Sequence, residues 1–171
     1  MPTEPTETED WSEKLSAFHM VPDESNHYMG KIERLEEVLR LMTEPSARGI
    51  DFYAYYVILT RLSELYRLAG YADTSKEVLL KLDRILKAFL ETGSDPLLFA
   101  CAQDIALGLD ELSEYEAAIE IVDFYRKRCS NLRVKEALFQ VRSRIEADRE
   151  MERKKSREIV ELPVHPAAFL S

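Results

Sequence analysis

Residues 99–130, FACAQDIALGLDELSEYEAAIEIVDFYRKRCS, read as two amphipathic helices joined by a short turn. Ala102, Ile105, Ala106 and Leu109 recur at the spacing of one helical face, and Tyr115, Ala118, Ile119, Val122, Tyr125 and Cys129 do so after the break. Ser113 stands three residues before Glu116, the spacing at which a hydroxyl and a carboxylate satisfy each other's backbone amides at a helix start. The same offsets occur upstream. Leu59-x2-Leu62-Ser63-x2-Tyr66 is followed nine residues later by Ser75-x3-Leu79, just as Ala102-x2-Ile105-Ala106-x2-Leu109 is followed by Ala118-x3-Val122.

Working outward from this stretch gives four further helices. Ile32, Leu35, Val38, Leu39 and Met42 follow a 3.6-residue period over about 28–43, stopped at Glu44-Pro45 because proline disfavours helix in the residue before it. A second helix spans about 51–69, ended by Gly70, and its apolar residues from Phe52 to Ala69 cover more than one face, as in a helix held between neighbours. The third opens with Asp73 or Thr74 as cap and runs to Gly93; Ser94-Asp95-Pro96 opens the fourth. A sixth follows Ser130-Asn131 with Val134, Leu138, Val141 and Ile145, and then loses its apolar face. No strand pattern emerges, and single, scattered glycines, 5 in 171 residues, argue against loop-rich and most all-β folds.

The repeated offsets resemble the tetratricopeptide repeat, in which two antiparallel helices pack through a large-x2-large-small-x2-large first helix and an Ala-x3-large second helix. A third first-helix pattern fits Val134-x2-Ala137-Leu138-x2-Val141, so the resemblance covers about residues 52–145. The step is 43 residues from Tyr66 to Leu109 and 32 from Leu109 to Val141, against the family's 34, and Leu138 is bulky where a small residue is usual. The resemblance implies an all-α fold of six main helices as antiparallel hairpins in a right-handed solenoid. It also implies a protein-binding groove lined by first-helix positions: Thr60, Glu64 and Arg67; Gln103, Leu107 and Asp110; Lys135, Phe139 and Arg142.

The expected organisation is an acidic, partly disordered tail with a short amphipathic helix (1–27), a helical domain (28–146), a charged helical extension (147–158) and an apolar, proline-containing tail (159–171). Trp11, Leu15 and Phe18 form one apolar patch in the first tail; Leu162, Phe169 and Leu170 supply grip in the last, and either patch can cap the solenoid or contact another subunit.

Charge and motif content narrow the function. The net charge is −9, and −6 of it lies in residues 1–30, which disfavours a dedicated nucleic-acid binder. Residues 88–125 hold nine acids and no base, an acidic face suited to a basic segment of a partner; Arg126, Lys127, Arg128, Arg133 and Lys135 follow at once. No phosphate-binding glycine loop, HExxH, GxSxG or CxxC string occurs, and His19, His27 and His165 all lie outside the helical body. Glu24 and His27 have ExxH spacing, but a di-iron bundle needs two copies on facing helices. No catalytic residue, metal or cofactor is expected, and Cys101 and Cys129 read as buried thiols. With no membrane-length apolar run and an acidic start, the chain reads as cytoplasmic, without membrane insertion. The leading expectation is a non-enzymatic protein-interaction module, an adaptor or assembly subunit forming a homo-oligomer or hetero-complex. A small acidic chaperone holding an aggregation-prone client is the alternative; an enzyme with a carboxylate-based helical site ranks third.

Overall fold

The computed structural model describes residues 28–42, 52–90 and 96–161. Six helices occur among the described residues, with no strand: α1 (Tyr28–Leu41), α2 (Phe52–Leu68), α3 (Ala72–Leu90), α4 (Pro96–Glu111), α5 (Tyr115–Arg128) and α6 (Leu132–Glu161). They belong to two compact units, Met1–Ser94 and Asp95–Ser171. The apolar tail residues Trp11, Leu15, Phe18, Leu162, Phe169 and Leu170, and all three histidines, lie outside the described residues.

In the first unit α2 packs on both α1 and α3. Its sequence explains why: Phe52, Ala54, Tyr55, Ile58, Leu59, Leu62, Ser63 and Leu65 are all buried, which takes up well over one helical face. Leu82 and Leu86 of α3 are fully buried, and the ring of Phe89 lies 4.8 Å from that of Phe52. The Tyr66 hydroxyl donates to Glu36 of α1, and burial together with that carboxylate pushes its pKa up to about 12. At the close approach of α2 and α3 the small residues Ser63 and Ser75 meet. Their hydroxyls lie 2.9 Å apart, and the Ser75 hydroxyl donates to the Ser63 carbonyl at 2.7 Å, so neither buried hydroxyl is left without a partner.

In the second unit α5 packs on α4 and α6, and α4 also meets α6. Ala102, Ile105, Ala106, Leu109, Ala118, Val122, Tyr125, Leu138 and Ile145 are completely buried between the three helices. Ala106 and Ala118 are 43 residues beyond Ser63 and Ser75, so both hairpins put small residues at the corresponding positions. Cys101 and Cys129 are buried, free thiols.

The hairpin turns correspond as well. Behind α2, the Gly70 amide donates to the Arg67 carbonyl at 3.1 Å and the Tyr71 amide to the Tyr66 carbonyl at 2.8 Å; Ser75 then donates to Tyr71. Behind α4, Ser113 donates to Asp110 at 2.9 Å, Glu114 to Leu109 at 2.9 Å, and Ala118 to Glu114. Each is the two-bond C-terminal cap that needs one left-handed residue, Gly70 at φ 88° and Ser113 at φ 60°. Ser113 therefore closes α4 and does not cap α5. The residue before α5 is Glu114, whose side chain makes no capping bond. In the same way α3 begins at Ala72, ahead of the capping position read at Asp73 or Thr74, because the turn runs straight into the helix.

These φ values set a pair of opposite stability effects. A Cβ at Gly70 would meet no atom within 4 Å, so Gly70→Ala carries only the left-handed penalty and should destabilise the chain by about 1–2 kcal/mol. Ser113→Gly relieves the same penalty and should stabilise by about 0.5–1 kcal/mol, glycine's extra unfolded-state freedom taking back part of the gain. Urea denaturation of the two variants reads both signs.

α6 starts with Asn131, whose side-chain oxygen accepts from the amides of Arg133 (3.0 Å) and Val134 (3.3 Å). It runs on to Glu161, with every residue from Glu150 to Val160 exposed. Arg149 and Arg153 stand 3.7 and 4.0 Å from Glu116 at the start of α5.

Candidate functional site

The nine first-helix positions have different surroundings. On α2, the Thr60 hydroxyl turns back to the carbonyls of Tyr56 and Val57 at 2.9 and 3.0 Å, Glu64 is exposed and pairs with Arg61 at 2.5 Å, and Arg67 is half-buried. On α4, Gln103 and Leu107 are half-buried, whereas Asp110 is 7% exposed. On α6, Lys135 is half-buried, Phe139 is 44% exposed, and Arg142 is half-buried.

Within the second unit these residues divide between two places. Asp110 lies at the packing of α4 with α6, facing the Asp148 carboxyl, while its Oδ1 has no hydrogen-bond partner. Burial first, then the bond to Asp148 and the charge of that carboxyl, push the Asp110 pKa up to about 6, with Glu111 adding to the rise and Arg144 opposing it. Nearby, Tyr115 bonds to Glu152, which raises the phenol's pKa. A carboxyl whose pKa is raised toward neutrality is the kind of group that a general acid uses. Here the carboxyl is sealed in a helix-to-helix packing.

Lys135, Phe139 and Arg142, by contrast, stand beside α5. Arg142 is 2.9 Å from Asp123 of α5 and 2.5 Å from Glu146 of its own helix, and the acids hold its guanidinium pKa above the ordinary value. Arg126 of α5 lies over the Phe139 ring at 5.0 Å. An open cleft of about 250 Å³ is lined by Asp123, Arg126, Lys127 and Lys135. Its charge is unbalanced. The one acid among the described residues that line it, Asp123, is already bonded to Arg142, and residues 126–135 contain five bases and no acid. Next to it Arg128 lies over Phe124 at 3.6 Å and donates to the Phe124 carbonyl at 3.1 Å, so part of the run is held against aromatic rings.

The charge run from Arg126 to Lys135 is plain in the sequence, but the contribution of α5 to this surface is not. A run at a helix end reads as complementing the helix dipole. Only the register of α5 against α6 sets Arg126 over Phe139 and Lys127 along the same opening as Lys135. The carboxyl pair was equally hidden, since Asp110 and Asp148 are 38 residues apart in sequence and meet through the packing of α4 with α6.

Among the described residues no group of His, Cys, Asp and Glu could hold a metal ion, and no helix is long and apolar enough to cross a membrane. No protein-family model, curated protein or solved structure matches the chain.

Proposed function

We propose that this chain is a cytoplasmic, non-enzymatic protein-interaction module of tetratricopeptide-like hairpins, an adaptor or a subunit of a larger assembly. The observation that carries this reading is the surface beside α5 and α6: an open cleft edged by Arg126, Lys127 and Lys135, next to the exposed Phe139 ring. Cations beside a half-exposed aromatic ring combine orienting charge with an apolar anchor, which is the make-up of protein-docking surfaces. The hairpin reading is supported by the two left-handed caps, which recur with the same hydrogen bonds at Gly70 and Ser113, and by the paired small residues Ser63/Ser75 and Ala106/Ala118. Such hairpins present side chains on preformed, rigid helices, so a partner segment need not be met by a flexible loop.

Affinity purification of the tagged full chain from its native cells, followed by mass spectrometry, tests the module. A protein retained in constant stoichiometry through a salt wash and size-exclusion chromatography is the expected result. Release of heterogeneous, unfolded clients would favour the chaperone, and absence of any retained protein from repeated preparations would overturn the reading.

A further inference from the structure

We infer that the cleft between α5 and α6 docks an acidic segment of a partner protein, with carboxylates against Lys127 and Lys135 and an aliphatic or aromatic side chain against Phe139. The inference rests on the interaction-module reading and specifies the partner's chemistry.

Charge is the first argument. Neither Lys127 nor Lys135 has an ion-pair partner among the described residues, and the only acid lining the cleft is engaged by Arg142 at 2.9 Å. Like charges gathered at one opening repel one another, and an incoming anion removes that repulsion and gains attraction to each cation. The arginines are differently placed. Arg126 lies over the Phe139 ring at 5.0 Å and Arg128 over the Phe124 ring at 3.6 Å, so both guanidinium groups already have an aromatic neighbour, whereas the two lysines have no such contact among the described residues.

Apolar exposure is the second. Leu132 is 79% exposed and Phe139 44% exposed, and with Lys135 they stand at i, i+3 and i+7, a single stripe along α6 beside the cleft. A stripe that alternates apolar and cationic residues complements a segment that alternates apolar and acidic ones. This is the arrangement by which a short amphipathic segment gains affinity from the anchor and orientation from the charges.

Extent is the third argument, and it selects a peptide over a nucleic acid. An opening of about 250 Å³ accepts one or two side chains. The cationic surface is also bounded, because α5 carries the exposed acids Glu116 and Glu120 toward its start, which limits it to a short segment. Binding along a nucleic acid needs a longer track of cations than this surface provides.

The test uses the folded full chain and fluorescence anisotropy with a labelled peptide of about twelve residues, made of Glu and Asp around a central Leu-Phe step. Its controls are the same peptide with Lys for every acid and a labelled oligothymidylate of equal length. The acidic peptide should bind at roughly micromolar to tens of micromolar Kd, and weaken by about tenfold or more between about 50 and 500 mM salt. Lys127→Glu combined with Lys135→Glu should weaken it by at least about tenfold, and Phe139→Ala by several-fold, while circular dichroism shows every variant still folded at the assay temperature, since none of the three side chains is buried and only a helix-end charge is lost with Lys127. Equal binding of the Lys peptide, or no binding of the acidic one up to about 1 mM, would overturn the inference. Oligothymidylate binding of equal strength, lost in the same variants, would also overturn it, marking a general polyanion surface. A partner purified from cells that the double lysine variant still retains would remove the cleft assignment while leaving the module in place. Peptide binding without any cellular partner would do the reverse.

Discussion

Leu82→Ala should lower the unfolding free energy by about 2–5 kcal/mol, and Val122→Ala should cost an amount toward the lower end of that range. Both side chains are completely inaccessible to solvent, one in each compact unit. The cost has two parts, the transfer free energy of the lost methyl and methylene groups and the cavity that the neighbours fill only incompletely. Leu82 sits on α3 with Leu79, Ile85 and Leu86, all buried, so collapse around the missing atoms is limited to what α2 can do from the other side. Val122 lies between Ala118 and Tyr125 on α5, which is packed on both α4 and α6, and two flanking helices limit its relaxation similarly. Glu64→Ala provides the contrast. Glu64 is exposed and its one ion pair is with an exposed arginine three residues away, so its loss should stay within about 0.5 kcal/mol. Urea denaturation with an unchanged m-value decides it; a Glu64→Ala loss matching that of Leu82→Ala would assign that side chain to structure and remove it from any docking surface.

The helices were legible because each carries an apolar period strong enough to outweigh local ambiguity. The apolar residues of α2 are covered on more than one face, as at Ile58, although Tyr53 and Val57 on that helix stay 38% and 37% exposed; the small-residue spacing coincides with a direct hydroxyl contact at Ser63/Ser75, and Ala106 and Ala118 are buried at the corresponding positions. The errors concern helix starts. Ser113 and Glu116 have the capping-box spacing, yet the preceding turn claims Ser113 for a left-handed cap, since the carbonyls of Leu109 and Asp110 need donors whether or not α5 is capped. Residue spacing cannot tell a helix's first cap from the previous helix's last one when a single residue stands between them. The end of α6 was only partly legible for a related reason. Beyond Ile145 its mixed charges carry no burial signal, although i,i+4 pairs such as Arg142–Glu146 and Arg144–Asp148 keep that stretch helical.

The same limit explains why a groove of nine positions was read where the second unit has two separate environments. Spacing on one helix predicts which residues share its face, but not which neighbour covers that face. Asp110 shares its spacing with Gln103 and Leu107, and α6 covers it with Asp148; Lys135, Phe139 and Arg142 share theirs, and α5 supplies the partners. For acidic and basic residues the difference is chemical as well as geometric. A carboxylate at the rim contributes charge to a ligand, whereas one buried against another carboxyl holds its proton to a higher pH and makes stability depend on pH.

The raised pKa of Asp110 leads to an expected gain from Asp110→Asn at neutral pH, where the buried carboxyl is ionised. The carboxyl has an ordinary value of 3.8 in the unfolded chain and about 6 in the folded one, so between these limits the folded state holds the proton more tightly. Its contribution to stability is fully present below about pH 3.8 and is lost as the pH rises through about 6. Above that, folding must accommodate an ionised group that is 7% exposed, has one oxygen without a hydrogen-bond partner and faces Asp148 and Glu111, with Arg144 as the only compensating charge acting on it. A shift of about two units at about 1.4 kcal/mol each sets the order of magnitude. Asp110→Asn, neutral at every pH and similar in volume, should therefore stabilise the chain at pH 8 by on the order of 2 kcal/mol and leave it almost unchanged at pH 4. Asp148→Asn should act in the same direction, since removing either member ends the repulsion. Combining the two should gain less than the sum, because both remove the same carboxylate-to-carboxylate repulsion. Thermal or urea unfolding across this pH range measures it, and an Asp110→Asn variant that is less stable than the native chain at pH 8 would mean that the ionised carboxylate has a favourable partner in place of a second acid.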